Sequence, residues 1–230
     1  MINMVIGLLP MKGHSERIPN KNIRLLGNKP LFFYVLQSLL ASKYIKQVII
    51  NTDSERIAKL ATSEFGQSIE ISWRPEELRG DFVPMNKIIE YDLRDAGPDQ
   101  HFLQTHSTNP FLKTTTIDKV IEYYFEKIAS GEADSIFSVT EIHSRLYDSN
   151  LQPLNHDPHK LIRTQDLKPV YEENSNFYLF SQKSFLKTKA RIGQKPGVFV
   201  TEPLESIDID TTEDWELAAY LADFFKKKGC

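Results

Sequence analysis

Two groups of residues at opposite ends of the chain have the types and spacing to do chemistry together. The first is a basic stretch in which Lys12, Arg17, Lys21 and Arg24 are interleaved with Gly13, Ser15 and Asn22. A polyphosphate needs several cations and N–H donors around it, and these residues supply both. The stretch is not a Walker-type loop, because Gly-x-x-x-x-Gly-Lys-Ser/Thr is absent. It also lacks the second and third glycines of the dinucleotide fingerprint. From spacing alone it is either a phosphate site or a solvated basic loop. The second group is Asp208 and Asp210, within Ser206-Ile207-Asp208-Ile209-Asp210. On a strand, residues two apart share a face, so both carboxylates would project together while Ile207 and Ile209 enter the core. Paired carboxylates make a hard-oxygen site suited to Mg²⁺. The competing reading is capping of the helix that follows, above all for Asp210.

The elements that must position these groups alternate. Met4–Leu9 is a continuous apolar run, as in a parallel strand buried on both faces. Further strands are expected at 47–51, 69–73, 101–104, 135–139, 197–201 and 207–210. Helices are expected at 30–42, from the Thr52–Glu55 caps to Phe65, and at 85–96, 115–131 and 212–226. This order implies a Rossmann-like α/β fold: a mostly parallel sheet with helices on both faces, in one domain over 1–230. Residues 141–180, with turn formers, three prolines and three histidines, read as an inserted β-rich arm. The spacing of His143, His156 and His159 matches no zinc site. In doubly wound sheets ligands bind beyond the carboxyl ends of the strands, which is where the basic stretch follows the first strand.

Bulk properties narrow the partners. The chain has 230 residues, 40% hydrophobic and 26% charged, with net charge −3. That balance points away from nucleic acid and membrane surfaces. No apolar run reaches membrane-spanning length and no cleavable leader is visible. The single cysteine, Cys230, excludes a disulfide within the chain and suits the cytoplasm.

The motifs taken together resemble the CMP-N-acylneuraminate synthetase (acylneuraminate cytidylyltransferase) family. The opening run keeps Pro10, Ser15, Ile18, Pro19, Lys21 and Asn22 of the family pattern, with Lys12 where the family has Arg. Asn51-Thr52-Asp53 and Arg74-Pro75-x-x-Leu78-x-x-Asp81 follow, although Phe82-Val83-Pro84-Met85 replaces the family's small hydroxyl residues. Leu103-Gln104, Arg163-Thr164-Gln165-Asp166, Tyr171–Tyr178 and Ser206–Trp215 complete the match, which covers most of the chain. In the Tyr171–Tyr178 stretch, Ser175 stands where the family has Gly. The resemblance implies transfer of CMP from CTP to a nonulosonic, sialic-type sugar acid with release of pyrophosphate. It implies that Lys12, Gly13, Ser15, Lys21 and Asn22 hold the nucleotide's phosphates or ribose, and that Arg74 and Asp81 approach the base. Gln104, Arg163 and Asn174 would contact the sugar, and Asp208 and Asp210 would bind Mg²⁺. Lys12, Lys21, Arg163, Asp208 and Asp210 are thus the expected catalytic set. The bland readings are a polar strand end for Gln104 and a surface arginine for Arg163. By resemblance the arm is a dimerisation arm and the protein a homodimer. Alternatives are a cytidylyltransferase for another acid sugar such as Kdo, or a non-catalytic nucleotide-binding subunit.

Overall fold

The structure, a computed structural model, describes residues 4–228. The terminal Cys230 and residues 1–3, just ahead of the first expected strand, lie outside them. The chain order is β1 (Val5–Leu8), β2 (Leu25–Leu26), β3 (Lys29–Pro30), α1 (Leu31–Leu40), β4 (Ile45–Thr52), α2 (Glu55–Phe65), β5 (Ile69–Trp73), α3 (Met85–Asp92) and β6 (His101–Thr105). It continues with α4 (Thr114–Ala129), β7 (Ser135–Ile142), β8 (Val170–Ser181), α5 (Gln182–Thr188), β9 (Pro196–Val200) and α6 (Thr212–Lys228).

Seven strands form one sheet in the order β5-β4-β1-β6-β8-β7-β9, and β8 alone runs against the others. The period-2 alternation of each strand feeds two cores. Leu103, Phe177 and Leu179 face the layer made by α1, α2 and α4, whereas Phe102, Tyr178 and Phe180 face α3 and α5. The Rossmann-like α/β reading therefore holds, helices covering both faces. Local signals act where expected: the Ser54 hydroxyl accepts the Ile57 amide at 3.3 Å to cap α2. Gly27, at φ 63, makes the two-residue turn that pairs β2 with β3.

Two expectations differ from what the chain does. Ile207–Asp210 is not a strand; it is an extended segment held by one backbone bond, Ile209 N–H to Thr108 C=O at 3.0 Å. The stretch 141–180 divides. Its C-terminal part is β8, a central strand of the main sheet, pairing with β6 and β7 through its backbone groups. Residues 143–169 form an excursion with one isolated bridge, Tyr147 to Pro153, and a single 3₁₀ turn at Thr164–Asp166.

A third, smaller core matters most for function. Ile18, Leu26, Leu31, Ile209, Trp215 and Ala218 bury one another where α6 packs beside the β2–β3 hairpin. Burying a side chain such as Ile209 contributes about 1.5–3 kcal/mol. This contact ties the loop after β1 to the segment before α6.

Candidate functional site

The connection from β1 to β4 leaves in one direction and that from β5 to β6 crosses to the other, so the sheet's switch point lies between β1 and β6. The loops at the carboxyl ends of β1, β4, β5 and β6 converge there. Because Ile18 and Ile209 share the small core, Lys21 is carried onto the segment before α6. Its ammonium donates to the Ile209 carbonyl at 2.7 Å and to Asp210 Oδ1 at 3.2 Å. Arg17 reaches the same carboxylate oxygen at 3.2 Å. Asp208 lies alongside: burial first, and the charge of Asp210, raise its pKa, while a hydrogen bond from Thr108 opposes the rise. Its Oδ1 is buried with no hydrogen-bond partner among the described residues. The acidic pair and the basic loop, 189 residues apart for Lys21 and Asp210, therefore form one cluster.

Capping of α6 does not consume these aspartates. That task falls to Thr211 and Asp214: the Thr211 hydroxyl accepts the Asp214 amide at 3.2 Å, and Asp214 Oδ2 accepts the amides of Thr211 at 2.7 Å and Asp210 at 3.0 Å.

The rest of the basic loop is held by polar contacts. The Asn22 amide donates to the Lys12 carbonyl at 2.9 Å, and its Oδ1 accepts the Ser107 hydroxyl at 2.6 Å. The Lys12 ammonium pairs with Asp81, whose pKa is lowered chiefly by that hydrogen bond. Gly13 is needed for close approach, since a Cβ there would stand 2.8 Å from Ser54 Cβ; its amide donates to Asp53 Oδ1 at 2.6 Å. Gly13 N–H is thus engaged by β4's end, a difference from a free phosphate donor. Ser15 sits partly buried in the same loop. Arg24 turns away and stacks 4.4 Å over the Trp215 ring.

At the end of β5, Arg74 is 3% exposed and donates to Asn51 Oδ1 at 2.7 Å and to the Asn51 carbonyl at 3.3 Å. Asn51 in turn donates to Asp92 Oδ1 at 2.7 Å, which also accepts the Ser72 hydroxyl at 2.8 Å. Burial pushes the Asp92 carboxyl up to about 6, against the two hydrogen bonds and the charge of Arg74.

Gln104, fully buried at the end of β6, turns its amide N–H to the Thr105 carbonyl at 2.6 Å and its Oε1 to Arg191 Nη1 at 2.5 Å. Arg191 stacks 3.9 Å over Tyr178 and approaches His106 Nε2 at 3.4 Å. Burial, aided by Arg191, drives His106 down to about 4, so its ring is neutral near pH 7.

Two expected site residues stand elsewhere. The Asn174 amide donates to the hydroxyls of Thr140, Thr201 and Ser206, at 3.1, 2.7 and 3.2 Å, tying β8 to β7 and to the segments beyond β9. Arg163 lies in the excursion, 72% exposed in its side chain, with its fork on Asp166 at 2.7 and 3.0 Å. Nothing in the sequence pattern singled out Arg191 or Ser107 for the site, and Tyr178, the last residue of the Tyr171–Tyr178 motif, carries no expected role there. Ser175, where the resembled family has Gly, adopts φ 57, a left-handed conformation that glycine enters without strain.

Among the described residues no helix is long and apolar enough to cross a membrane.

Comparisons with known proteins find relatives over most of the chain. The chain is 28% identical over 231 residues to the CMP-N,N'-diacetyllegionaminic acid synthase of Legionella pneumophila, covering 95% of this chain and 96% of that protein. It is 25% identical over 221 residues to the pseudaminic acid cytidylyltransferase of Campylobacter jejuni, covering 93% and 94%. It is 24% identical over 218 residues to the N-acylneuraminate cytidylyltransferase of Streptococcus agalactiae serotype III, covering 91% of this chain. The chain spans only 51% of the length of that last relative. A solved structure of CMP:2-keto-3-deoxy-manno-octonic acid synthetase complexed with CTP shares the fold, with a TM-score of 0.64 at 14% identity over 96% of this chain and 98% of that one. The sequence profile of the family described as cytidylyltransferase matches residues 6–227, and the chain belongs to that family.

Proposed function

We propose that the protein transfers CMP from CTP to a nonulosonic sugar acid and releases pyrophosphate. The observation that carries this reading is the contact of Lys21 with Asp210 beside Asp208, which joins a phosphate-type loop to an acidic pair at the sheet's switch point. The named activities of the relatives from Legionella, Campylobacter and Streptococcus support the choice of donor and acceptor.

In this reaction the anomeric hydroxyl oxygen of the sugar attacks the α-phosphorus of CTP. A new P–O bond forms, the bond from the α-phosphorus to the bridging oxygen breaks, and pyrophosphate departs with that oxygen. The hydroxyl proton passes to solvent water as the oxygen attacks. Such chemistry depends on positioning and charge neutralisation. Lys12, Lys21 and Asn22, with Gly13 and Ser15 shaping the loop, are the residues for the nucleotide's phosphates. Lys12 must exchange Asp81 for phosphate, so Asp81 acts as its resting partner. Arg74, locked to Asn51, flanks the base, and Gln104 orients the sugar.

Asp208 and Asp210 fit Mg²⁺: both are hard-oxygen donors, and the buried, unpartnered Asp208 Oδ1 is an acceptor awaiting a cation. When bound, Mg²⁺ would neutralise phosphate oxygens and make the sugar hydroxyl more acidic. Arg17 and Lys21, which share Asp210 Oδ1, would then be released toward the phosphates.

The excursion 143–169, which carries Arg163, exposes Leu151 and Leu161, 78% and 87% accessible. Large apolar side chains in contact with water favour a covering surface. This supports a homodimer in which Arg163 serves the partner's sugar. Light scattering tests it: Leu161→Asp should yield a monomer, and an unchanged mass would refute the assignment. A cytoplasmic location follows from use of CTP and forms part of the proposal.

The decisive test is a pyrophosphate-release screen pairing each NTP with a panel of nonulosonic acids and Kdo, with and without Mg²⁺. Release should require CTP, a nonulosonic acid and the metal. Release that ignores the base, or that occurs with no sugar acid, would overturn the reading.

A further inference from the structure

The expected sugar-binding arginine, Arg163, lies in the exposed excursion, whereas a different arginine enters the crevice. Arg191 belongs to the link between α5 and β9, and that link is pinned on both sides. The Thr188 hydroxyl lies 3.2 Å from the carbonyls of both Ala190 and Ile192, which share its one hydrogen, and it accepts the Ala190 amide at 3.3 Å. The Gly193 amide donates to the Ser135 hydroxyl at 2.8 Å, and the Arg191 amide reaches Asn86 Oδ1 at 3.4 Å. From this anchored backbone the side chain crosses to the end of β6.

The guanidinium is braced there on three sides. Tyr178 lies flat beneath it at 3.9 Å, and Tyr178 is itself fixed by its hydroxyl on Glu173 and by Ser175 Oγ at 3.2 Å. Gln104 Oε1 accepts from Nη1, and the amide of Gln104 is held in that orientation by the Thr105 carbonyl. The neutral His106 offers Nε2 to the same Nη1. Both contacts fall on Nη1. Apart from the nearby Tyr178 hydroxyl, the Nε–Nη2 side has no hydrogen-bond partner among the described residues.

A half-buried guanidinium is costly without an anion. Among the described residues Arg191 forms no ion pair within 4 Å; the Glu173 carboxylate, whose charge favours the guanidinium from farther away, already accepts the Tyr178 hydroxyl. The two remaining donor positions are the parallel pair that fits a carboxylate in bidentate fashion. A phosphate is the less suited anion, because Lys12, Arg17 and Lys21 already serve the phosphate side.

We propose that Arg191 binds the carboxylate of the acceptor sugar acid, with Tyr178 and Gln104 holding its guanidinium in register. The assignment rests on the cytidylyltransferase reading and names the residue that makes the acceptor's acid group a requirement. Met at this position keeps the packing on Tyr178 but removes the charge; Lys keeps the charge but loses the fork.

The test is steady-state pyrophosphate release by the full chain, with Arg191→Met and Arg191→Lys. CTP, the sugar acid and the amide of the same sugar acid are each varied. Arg191→Met should raise the KM for the acid by about 30-fold, which is about 2 kcal/mol at 1.4 kcal/mol per tenfold, and leave the KM for CTP within about twofold. Wild type should prefer acid to amide, Arg191→Met should lose that preference, and Arg191→Lys should retain part of it. If Arg191→Met keeps the wild-type preference for the acid, or loses CTP binding as severely as acid binding, the assignment is overturned. Should Arg191→Met not fold, the acid–amide comparison in Arg191→Lys decides: a wild-type preference there refutes a bidentate contact. Wild type that uses no sugar acid at all would instead sink the cytidylyltransferase reading, and this assignment with it.

Discussion

The buried carboxyl of Asp92 gives a prediction whose size follows from the structure. Asp92 accepts Asn51 and Ser72 on Oδ1, while Oδ2 is buried without a partner. Burial raises its pKa from 3.8 to about 6. A carboxyl whose folded pKa lies above its unfolded value favours folding only when protonated. Its contribution is therefore fully present below pH 3.8 and is lost as pH rises through about 6. At 1.36 kcal/mol per pKa unit, the loss amounts to about 3 kcal/mol above pH 7. The perturbation is Asp92→Asn, which keeps an acceptor for Asn51 and Ser72 but cannot ionise. Its buried N–H₂ costs about 1–3 kcal/mol at every pH, so the diagnostic is the slope and not the offset. Urea unfolding of both proteins should be followed from pH 4.5 to 8. Most of the change falls inside that range, so the stability difference between wild type and Asp92→Asn should shift by about 2 kcal/mol in favour of the variant. Parallel curves across that range would show that Asp92 is not held at a raised pKa, and would refute the desolvation argument. Because Asn at position 92 keeps the acceptor that braces Asn51, which holds Arg74, CTP binding should survive this substitution.

Other outcomes follow from the same geometry. Lys21→Ala should weaken CTP binding by about 1–3 kcal/mol by calorimetry, the scale of a lost charge-assisted contact, and unaltered affinity would count against the clamp. Asp208→Asn should abolish most Mg²⁺-dependent pyrophosphate release while leaving thermal stability unchanged or higher; persistence of full release would remove the metal assignment. Ile209→Ala should cost about 2–5 kcal/mol in unfolding free energy and also raise the KM for CTP, since the same side chain docks Asp208 and Asp210 against Lys21. Ser175→Gly should raise the melting temperature by relieving a left-handed residue worth about 1–2 kcal/mol, less the entropy glycine adds; a lower melting temperature would mean the serine's contact with Tyr178 outweighs the strain.

The sequence by itself determined the layered α/β architecture. The buried strands are short apolar runs and the helices carry apolar residues at helical spacing, with a side-chain cap at Ser54 before α2, so their periodicity is visible without tertiary contacts. It also determined the two chemical groups, the basic stretch around Lys12 and Lys21 and the pair Asp208 and Asp210. What only the tertiary structure decided was their company. Ile207–Asp210 lacks a strand's partners, and its place comes from Ile209 meeting Ile18 and Trp215, a packing event between distant segments. The strand at Val170–Ser181 entered the main sheet because its backbone found β6 and β7, which no local pattern specifies. Arg191 carries no motif at all. It becomes a site residue because an anchored link aims it across Tyr178 at Gln104, whereas Arg163, which does carry a motif, ends in solvent against Asp166. Residue type and spacing reveal which groups can do chemistry; long-range packing decides which of them meet.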